Sequence, residues 1–556
     1  MLRPWTTASE KTWGDMTPEA IQALCLSSAP RNPIYRHPLF RRIYLLFFVL
    51  STLVCLLPIW ALIYLPKGNR PRDGWSLQRC LRARWGRRLC GLVARCEIDY
   101  LGRDLALDMD TTSLRHSHPV TIPPAPDDLV RGHIKETLQQ LHDSRGAWDP
   151  HFVYRKARKA AGAWGAWNLD DGHHRDFGFE PVKGFWFTGE KTSPVQPPTP
   201  RLEDDPVMLH FHGGGYLCGT AAETDLTSSI CKSLVKYSPI HHILSVDYRL
   251  APKGPWPLPL MDAISAYRWL VRDRGIGEAD IVLGGDSAGG HLALALARWL
   301  RDEGAAVGLN MPRGLVLFSP WSDLGFTNAW GKDEYRFNAD SDVIDDTFGP
   351  FACSLLMRAQ PISLCYASPY VSPASSTIPT EDLFTNFPPT YIAYGSAERL
   401  ARSIQTLFRR LQSGRVIGKQ VVQDKIFVGP DAVHDFAIFP WMEAETAMMY
   451  EDLDGWLREL LSTEVDIEDE ATEEADAVSP QVFASVFNSP MDDSASYRRL
   501  SRHRTNESLK SCKSPVMGAT PDSGMMRIVE DMKGEGMSMI DIPKLDLDAP
   551  ASRKDV

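Results

Sequence analysis

The sequence predicts an α/β protein: a central, mostly parallel sheet flanked by helices, with a helical cap and one N-terminal membrane-spanning helix. Three observations carry this. From Val207 onwards, short apolar and β-branched runs alternate with helical patterns, as in a parallel sheet covered on both faces. At Ile281-Val282-Leu283 such a run stops at Gly284-Gly285, a serine follows at 287, and His291 to Ala297 begins a strong helical stretch. Far upstream, Ile43 to Leu65 contains no charged residue and is long enough to span a bilayer.

Composition bounds the problem. A chain of 556 residues with 44% hydrophobic and 10% aromatic residues can bury a large core and carry appendages. The net charge of -10 argues against nucleic acid as the main partner. The charge is uneven, with a dense acidic run from Glu464 to Asp476 and a basic stretch from Arg79 to Arg95. Ten cysteines without tight spacing point to isolated thiols, not to a disulfide scaffold or a zinc site.

The chain divides into a polar segment 1–42, an apolar anchor 43–65, a juxtamembrane and cap region 66–180, an α/β domain 181–462 and a tail 463–556. Pro58 inside the anchor is tolerable in a membrane helix. The segment is too long, and begins too late, for a cleaved signal peptide; a buried core helix is the alternative. Four arginines before it and six cations after it leave its orientation undecided, with a lean toward a cytosolic catalytic side. From Leu81 the apolar residues Trp85, Leu89, Leu92, Val93 and Cys96 fall at helical spacing between Arg82, Arg84, Arg87 and Arg88. Two readings stay open: an amphipathic helix lying on the membrane surface, or a cap helix packed on the protein.

Further on, Leu129–Leu141 and Tyr154–Trp167 read as helical, Gly184–Thr188 as a strand and Pro194–Pro200 as a loop. The main strands are predicted at Val207–Phe211, Ile243–Asp247, Ile281–Gly284, Leu315–Ser319, Thr390–Tyr394 and Gln420–Lys425. Helices are predicted at roughly 222–237, 260–274, 288–302, 400–412 and 441–461. The tail loses periodicity and reads as disordered. Within it, Arg498-Arg499-Leu500-Ser501 is either a kinase target or an unmodified basic patch.

The chemistry is concentrated in four places. Gly285-Asp286-Ser287-Ala288-Gly289 fits G-x-S-x-G, which exposes a serine hydroxyl on a sharp strand-to-helix turn. His212-Gly213-Gly214-Gly215 directly follows the strand at Val207–Phe211, where backbone N–H groups can stabilise an oxyanion. No Lys-Ser/Thr pair follows these glycines, so they are not a P-loop. Asp247-Tyr248-Arg249-Leu250-Ala251-Pro252 and Ser319-Pro320-Trp321-Ser322-Asp323-Leu324 are the other two segments.

With these four segments in this order, the chain resembles the hormone-sensitive-lipase-like branch of the α/β-hydrolases over about residues 180–460. The membrane anchor also gives it a weaker resemblance to fungal steryl acetyl hydrolases and arylacetamide deacetylases. The resemblance implies an α/β-hydrolase fold and a serine nucleophile at Ser287. It implies the catalytic histidine at His434, in Pro430-Asp431-Ala432-Val433-His434-Asp435-Phe436 after the last predicted strand. It implies the acid at Glu398, in Gly395-Ser396-Ala397-Glu398. Asp431 and Asp435 lie too close in sequence to orient His434 easily, and Asp323 reads as a structural loop residue. Gly213, Gly214, Gly215 and Ala288 are the expected oxyanion donors. Asp247-Tyr248-Arg249 and Asp286 are expected to support the loop beside them.

The expectation is a membrane-anchored serine hydrolase, single-pass and expected in the endoplasmic reticulum, needing no metal or organic cofactor. Its partners would be a small hydrophobic short-acyl ester, such as a sterol acetate or a xenobiotic ester, and membrane lipid. An amidase or lipid hydrolase with the same triad, or an inactive ligand-binding member of the fold, are the alternatives.

Overall fold

The computed structural model describes residues 38–96, 114–144, 177–188, 206–251, 253–329, 338–413 and 422–462. Residues 1–37 of the predicted polar segment 1–42, the predicted helix at Tyr154–Trp167, the loop at Pro194–Pro200, Pro252 and the tail 463–556 lie outside them.

Eight strands form one sheet in the order β1-β2-β4-β3-β5-β6-β7-β8: β1 Ser117–Ile122, β2 Val182–Thr188, β3 Val207–Phe211, β4 His242–Asp247, β5 Ile281–Asp286, β6 Gly314–Phe318, β7 Thr390–Gly395 and β8 Lys425–Gly429. Strand β2 pairs antiparallel with both of its neighbours, β1 and β4, and the remaining pairings are parallel. Strands β3 to β7 are buried along almost their whole length, as a parallel sheet covered on both faces requires. Leu209, Phe211, Leu283, Leu315 and Leu317 point to one core with the helices Leu258–Arg268 and Ala288–Trp299. Met208, Val282, Val316 and Tyr391 point to the other, against the helices Ser228–Tyr237 and Glu443–Ser462. The side-chain period of two along each strand feeds both cores at once.

Three differences from the sequence reading have physical causes. The edge strand β1 was not predicted, because His118 and Pro119 break its pattern; an edge strand tolerates proline. Strand β8 starts at Lys425, where the predicted strand ended, so that Ile426 pairs with Ile392 and Val428 with Tyr394. The helices Leu258–Arg268 and Ala288–Trp299 each run on into a π-helical turn, at Trp269–Asp273 and Leu300–Gly304.

At the N-terminus, α1 (Pro38–Ser51) passes through a π-helical turn at Thr52–Leu56 into α2 (Leu57–Tyr64). Arg42–Tyr64 is long and apolar enough to cross a membrane. Leu46, Phe47, Val54 and Leu62 are all more than 60% exposed on it. The chain then turns and returns as α3 (Leu77–Cys96). Four arginines of this basic stretch reach protein groups, two of them on the apolar helix itself. Arg79 forks onto Glu445 at 2.8 and 3.2 Å, Arg87 reaches Asp346 at 2.8 Å, and Arg84 bonds the Tyr64 hydroxyl at 2.8 Å. Arg88 donates to Thr52 Oγ1 at 2.6 Å and lies over the Phe48 ring.

Candidate active site

The site is built where β5 meets the helix Ala288–Trp299. Ser287 joins them with φ 50°, ψ -113°, a strained conformation for a non-glycine residue. It is held by its neighbours: its N–H donates to the Phe318 carbonyl at 2.8 Å, and its carbonyl accepts from Trp321 at 2.9 Å and His291 at 3.1 Å. The bend is tight enough that a Cβ at Gly289 would sit 1.9 Å from the Phe211 carbonyl oxygen, so only glycine fits there.

Two loops, at the C-terminal ends of β7 and β8, bring the other side chains in. His434 Nε2 lies 2.9 Å from Ser287 Oγ, and His434 Nδ1 lies 3.4 Å from Glu398 Oε1. The three residues expected to form the triad are therefore brought together, and all three are buried. Glu398 Oε2 accepts from the Ser319 hydroxyl at 2.6 Å and from the Gly395 N–H at 2.8 Å, which fixes the carboxylate. Asp342 ties the loops to each other, accepting the N–H of His434 at 2.9 Å and of Arg399 at 2.8 Å.

Asp435 departs from expectation. Although adjacent to His434 in sequence, its left-handed backbone (φ 50°) turns the carboxylate back, and Oδ2 lies 3.1 Å from His434 Nε2. The imidazole thus meets a carboxylate on each side. Burial disfavours its charge, but Asp435 and Glu398 outweigh that and hold its pKa well above the usual histidine value. Burial raises the Glu398 carboxyl against the opposing pull of His434 and Ser319. Burial likewise raises Asp435, with His434 pulling it down, and raises Asp286, with Asp435 adding to the effect.

The glycine loop after β3 lies across the elbow. Gly214 takes φ 102° and Gly215 φ 63°. The Gly213 N–H donates to Asp286 Oδ2 at 2.9 Å, so it is already committed and drops out of the expected oxyanion donors. Among the described residues, no hydrogen bond engages the N–H of Gly214, Gly215 or Ala288. The loop is held from behind by Tyr248, whose hydroxyl donates to the His212 carbonyl at 2.6 Å while its ring stacks on the imidazole. Arg249 does not reach the loop; it pairs with the buried Asp262 at 2.7 Å. Asp323 bonds Thr327 and Asn328, the structural role expected of it. Above the loop, a Cβ on Gly215 would meet the Phe348 ring at 2.7 Å. Phe348 begins the helix Phe348–Leu356, an element the sequence reading missed.

Ser319 was visible only as part of a motif, and Asp342 carried no sequence signal. Among the described residues, no group of three His, Cys, Asp or Glu side chains is arranged to hold a metal.

The architecture is that of an α/β-hydrolase, and the family model described as alpha/beta hydrolase fold matches residues 208–438. The chain is 30% identical over 258 residues to the esterase LipU of Mycobacterium tuberculosis, covering 45% of this chain and 77% of that protein. It is 30% identical over 203 residues to an acetyl-hydrolase of Streptomyces hygroscopicus, covering 36% of this chain and 60% of the relative. A solved hormone-sensitive lipase from a metagenome library aligns at 26% identity and a TM-score of 0.40, over 50% of this chain and 82% of that one. The chain belongs to the hormone-sensitive-lipase-like branch of the α/β-hydrolases, a family of serine hydrolases.

Proposed function

We propose that this protein is a membrane-anchored carboxylic-ester hydrolase acting on hydrophobic esters of short acyl groups, with sterol acetates and xenobiotic esters as the substrate classes. The observation that carries the reading is the contact of Ser287 Oγ with His434 Nε2 at 2.9 Å, backed by the buried Glu398 carboxylate on Nδ1. Ser287 attacks the ester carbonyl while His434 takes its proton. Glu398 accepts from Nδ1–H, which leaves the lone pair on Nε2 for the Ser287 proton, and Asp435 Oδ2 at 3.1 Å adds to the stabilisation of the imidazolium that results. The N–H groups of Gly214, Gly215 and Ala288 receive the oxyanion. His434 then returns the proton to the leaving alcohol, and water, deprotonated by the same imidazole, releases the acyl group. The apolar helix Arg42–Tyr64 supports anchoring, and it would keep the site near substrates dissolved in lipid.

Labelling with a fluorophosphonate, followed by an ester panel from two to sixteen acyl carbons, tests this. Ser287→Ala is expected to abolish labelling and to lower turnover by roughly 10^3-fold or more. Unlabelled wild-type protein without turnover on any ester would favour an inactive ligand-binding role.

A further inference from the structure

The turn between the apolar helix and α3 does more than connect them. Trp75 is 1% exposed, and its indole N–H donates to the Asp431 carbonyl at 2.9 Å. Arg72 Nη2 donates to the Ser396 carbonyl at 3.2 Å and to Asn338 Oδ1, while Arg72 Nε lies 3.9 Å from Asp431 Oδ1. Asn338 passes the contact on, donating to the carbonyls of Ser396 at 3.0 Å and Glu398 at 2.7 Å. Arg70 braces the turn itself, bonding the Tyr64 carbonyl at 3.1 Å and the Trp75 carbonyl at 2.8 Å.

The two points touched are not arbitrary. Ser396 lies two residues before Glu398, and Asp431 three before His434. The two loops are also joined directly: Asp431 N–H donates to Ser396 Oγ at 2.8 Å and Ala397 N–H to the Ala432 carbonyl at 2.9 Å. Asp431 has φ 53°, which a non-glycine residue keeps only where its surroundings fix it. Polar contacts from the turn therefore converge on the junction that sets the distance between acid and base.

We infer that Arg72 and Trp75 are positioning residues of the hydrolase: they clamp together the loops that carry Glu398 and His434. This rests on the Ser287–His434–Glu398 reading. The segment that leads out of the apolar helix is thereby part of the catalytic architecture and not only a tether.

The test uses the full-length protein in detergent micelles and reads turnover of a short-chain ester per site, titrated to completion with a fluorophosphonate. Arg72→Ala and Trp75→Phe are expected to lower kcat by roughly 10- to 100-fold per titrated site with KM little changed, because the acid–base pair is displaced while the pocket stays. Arg72→Lys keeps the charge but not the fork, and is expected to recover only part of the loss. Arg79→Ala is the control, since Arg79 bonds Glu445 and the Trp441 carbonyl and neither loop; it is expected to keep wild-type turnover per site. A purely structural role would reduce the number of titratable sites and leave turnover per site intact. Wild-type turnover per site in both Arg72→Ala and Trp75→Phe overturns the inference, as does an equal loss in Arg79→Ala. Ser287→Ala, run alongside, separates the two questions: turnover retained there overturns the nucleophile assignment instead.

Discussion

Glu398→Gln is nearly isosteric, yet the structure predicts a loss larger than that of a charge alone. Glu398 Oε2 sits opposite the Gly395 N–H at 2.8 Å, a backbone donor that cannot rotate away. The Ser319 hydroxyl donates to the same oxygen at 2.6 Å. A glutamine must therefore place its carbonyl oxygen there, and its NH2 group takes the position of Oε1, facing His434 Nδ1. Nδ1 must then accept, so the neutral imidazole carries its proton on Nε2 and has no lone pair left for the Ser287 hydroxyl. Stabilisation of the imidazolium is lost as well. A wrong tautomer of this kind lowers kcat by about 10^4-fold, or about 5 kcal/mol of barrier. The assay is steady-state ester turnover, with the acylation burst measured separately and circular dichroism reporting the fold. Turnover within tenfold of wild type, with the fold intact, would refute both the tautomer argument and the acid assignment.

Three further outcomes follow from other contacts. The base form of His434 is needed for turnover, and the facing Asp435 and Glu398 carboxylates raise its pKa against burial; Asp435→Asn removes one of them, so the acid limb of kcat/KM moves to lower pH, and an unmoved limb would count against the Asp435 contact. Asp286→Ala leaves the Gly213 N–H buried without its acceptor and is expected to cost about 1–3 kcal/mol in chemical denaturation, whereas Asp286→Asn keeps an acceptor oxygen for Gly213 and offers an NH2 toward His210 Nε2, so it stays within about 1 kcal/mol of wild type. Full-length protein should resist carbonate extraction from membranes, whereas a chain beginning at Gly68 should be released yet keep turnover on a small soluble ester, since Arg72 and Trp75 remain; full-length protein in the carbonate supernatant would remove the membrane reading of Arg42–Tyr64.

Much of this arrangement was legible in the sequence because its elements need rare local chemistry. A serine between glycines, after an apolar run and before a helical stretch, marks a strand-to-helix elbow, and two of the three glycines after β3 take a positive φ that favours glycine. The grouping of Ser287, Glu398 and His434 was implied by the family resemblance, helped for His434 by its place after the last predicted strand. What stayed hidden was set by tertiary contact. The amphipathic spacing of α3 could not say which of its arginines meet protein, because Glu445 and Asp346, the partners of Arg79 and Arg87, lie far away in sequence. Asp435 looked too near His434 to act on it, and only the left-handed turn at that residue brings its carboxylate round. Gly213 looked like its two neighbours until its N–H was seen to be spent on Asp286.

The crowding at the elbow divides the molecule into a part that tolerates change and a part that does not. The atoms that would meet a side chain at Gly285 or Gly289 are backbone atoms of β3 and of the helix after the serine, so no compensating substitution can clear them. Around Gly215 the neighbours are the Phe348 ring and the Ala352 methyl, which belong to a helix outside the sheet and can be exchanged. The helix Phe348–Leu356 can therefore be resurfaced over the glycine loop while the backbone of the elbow stays fixed.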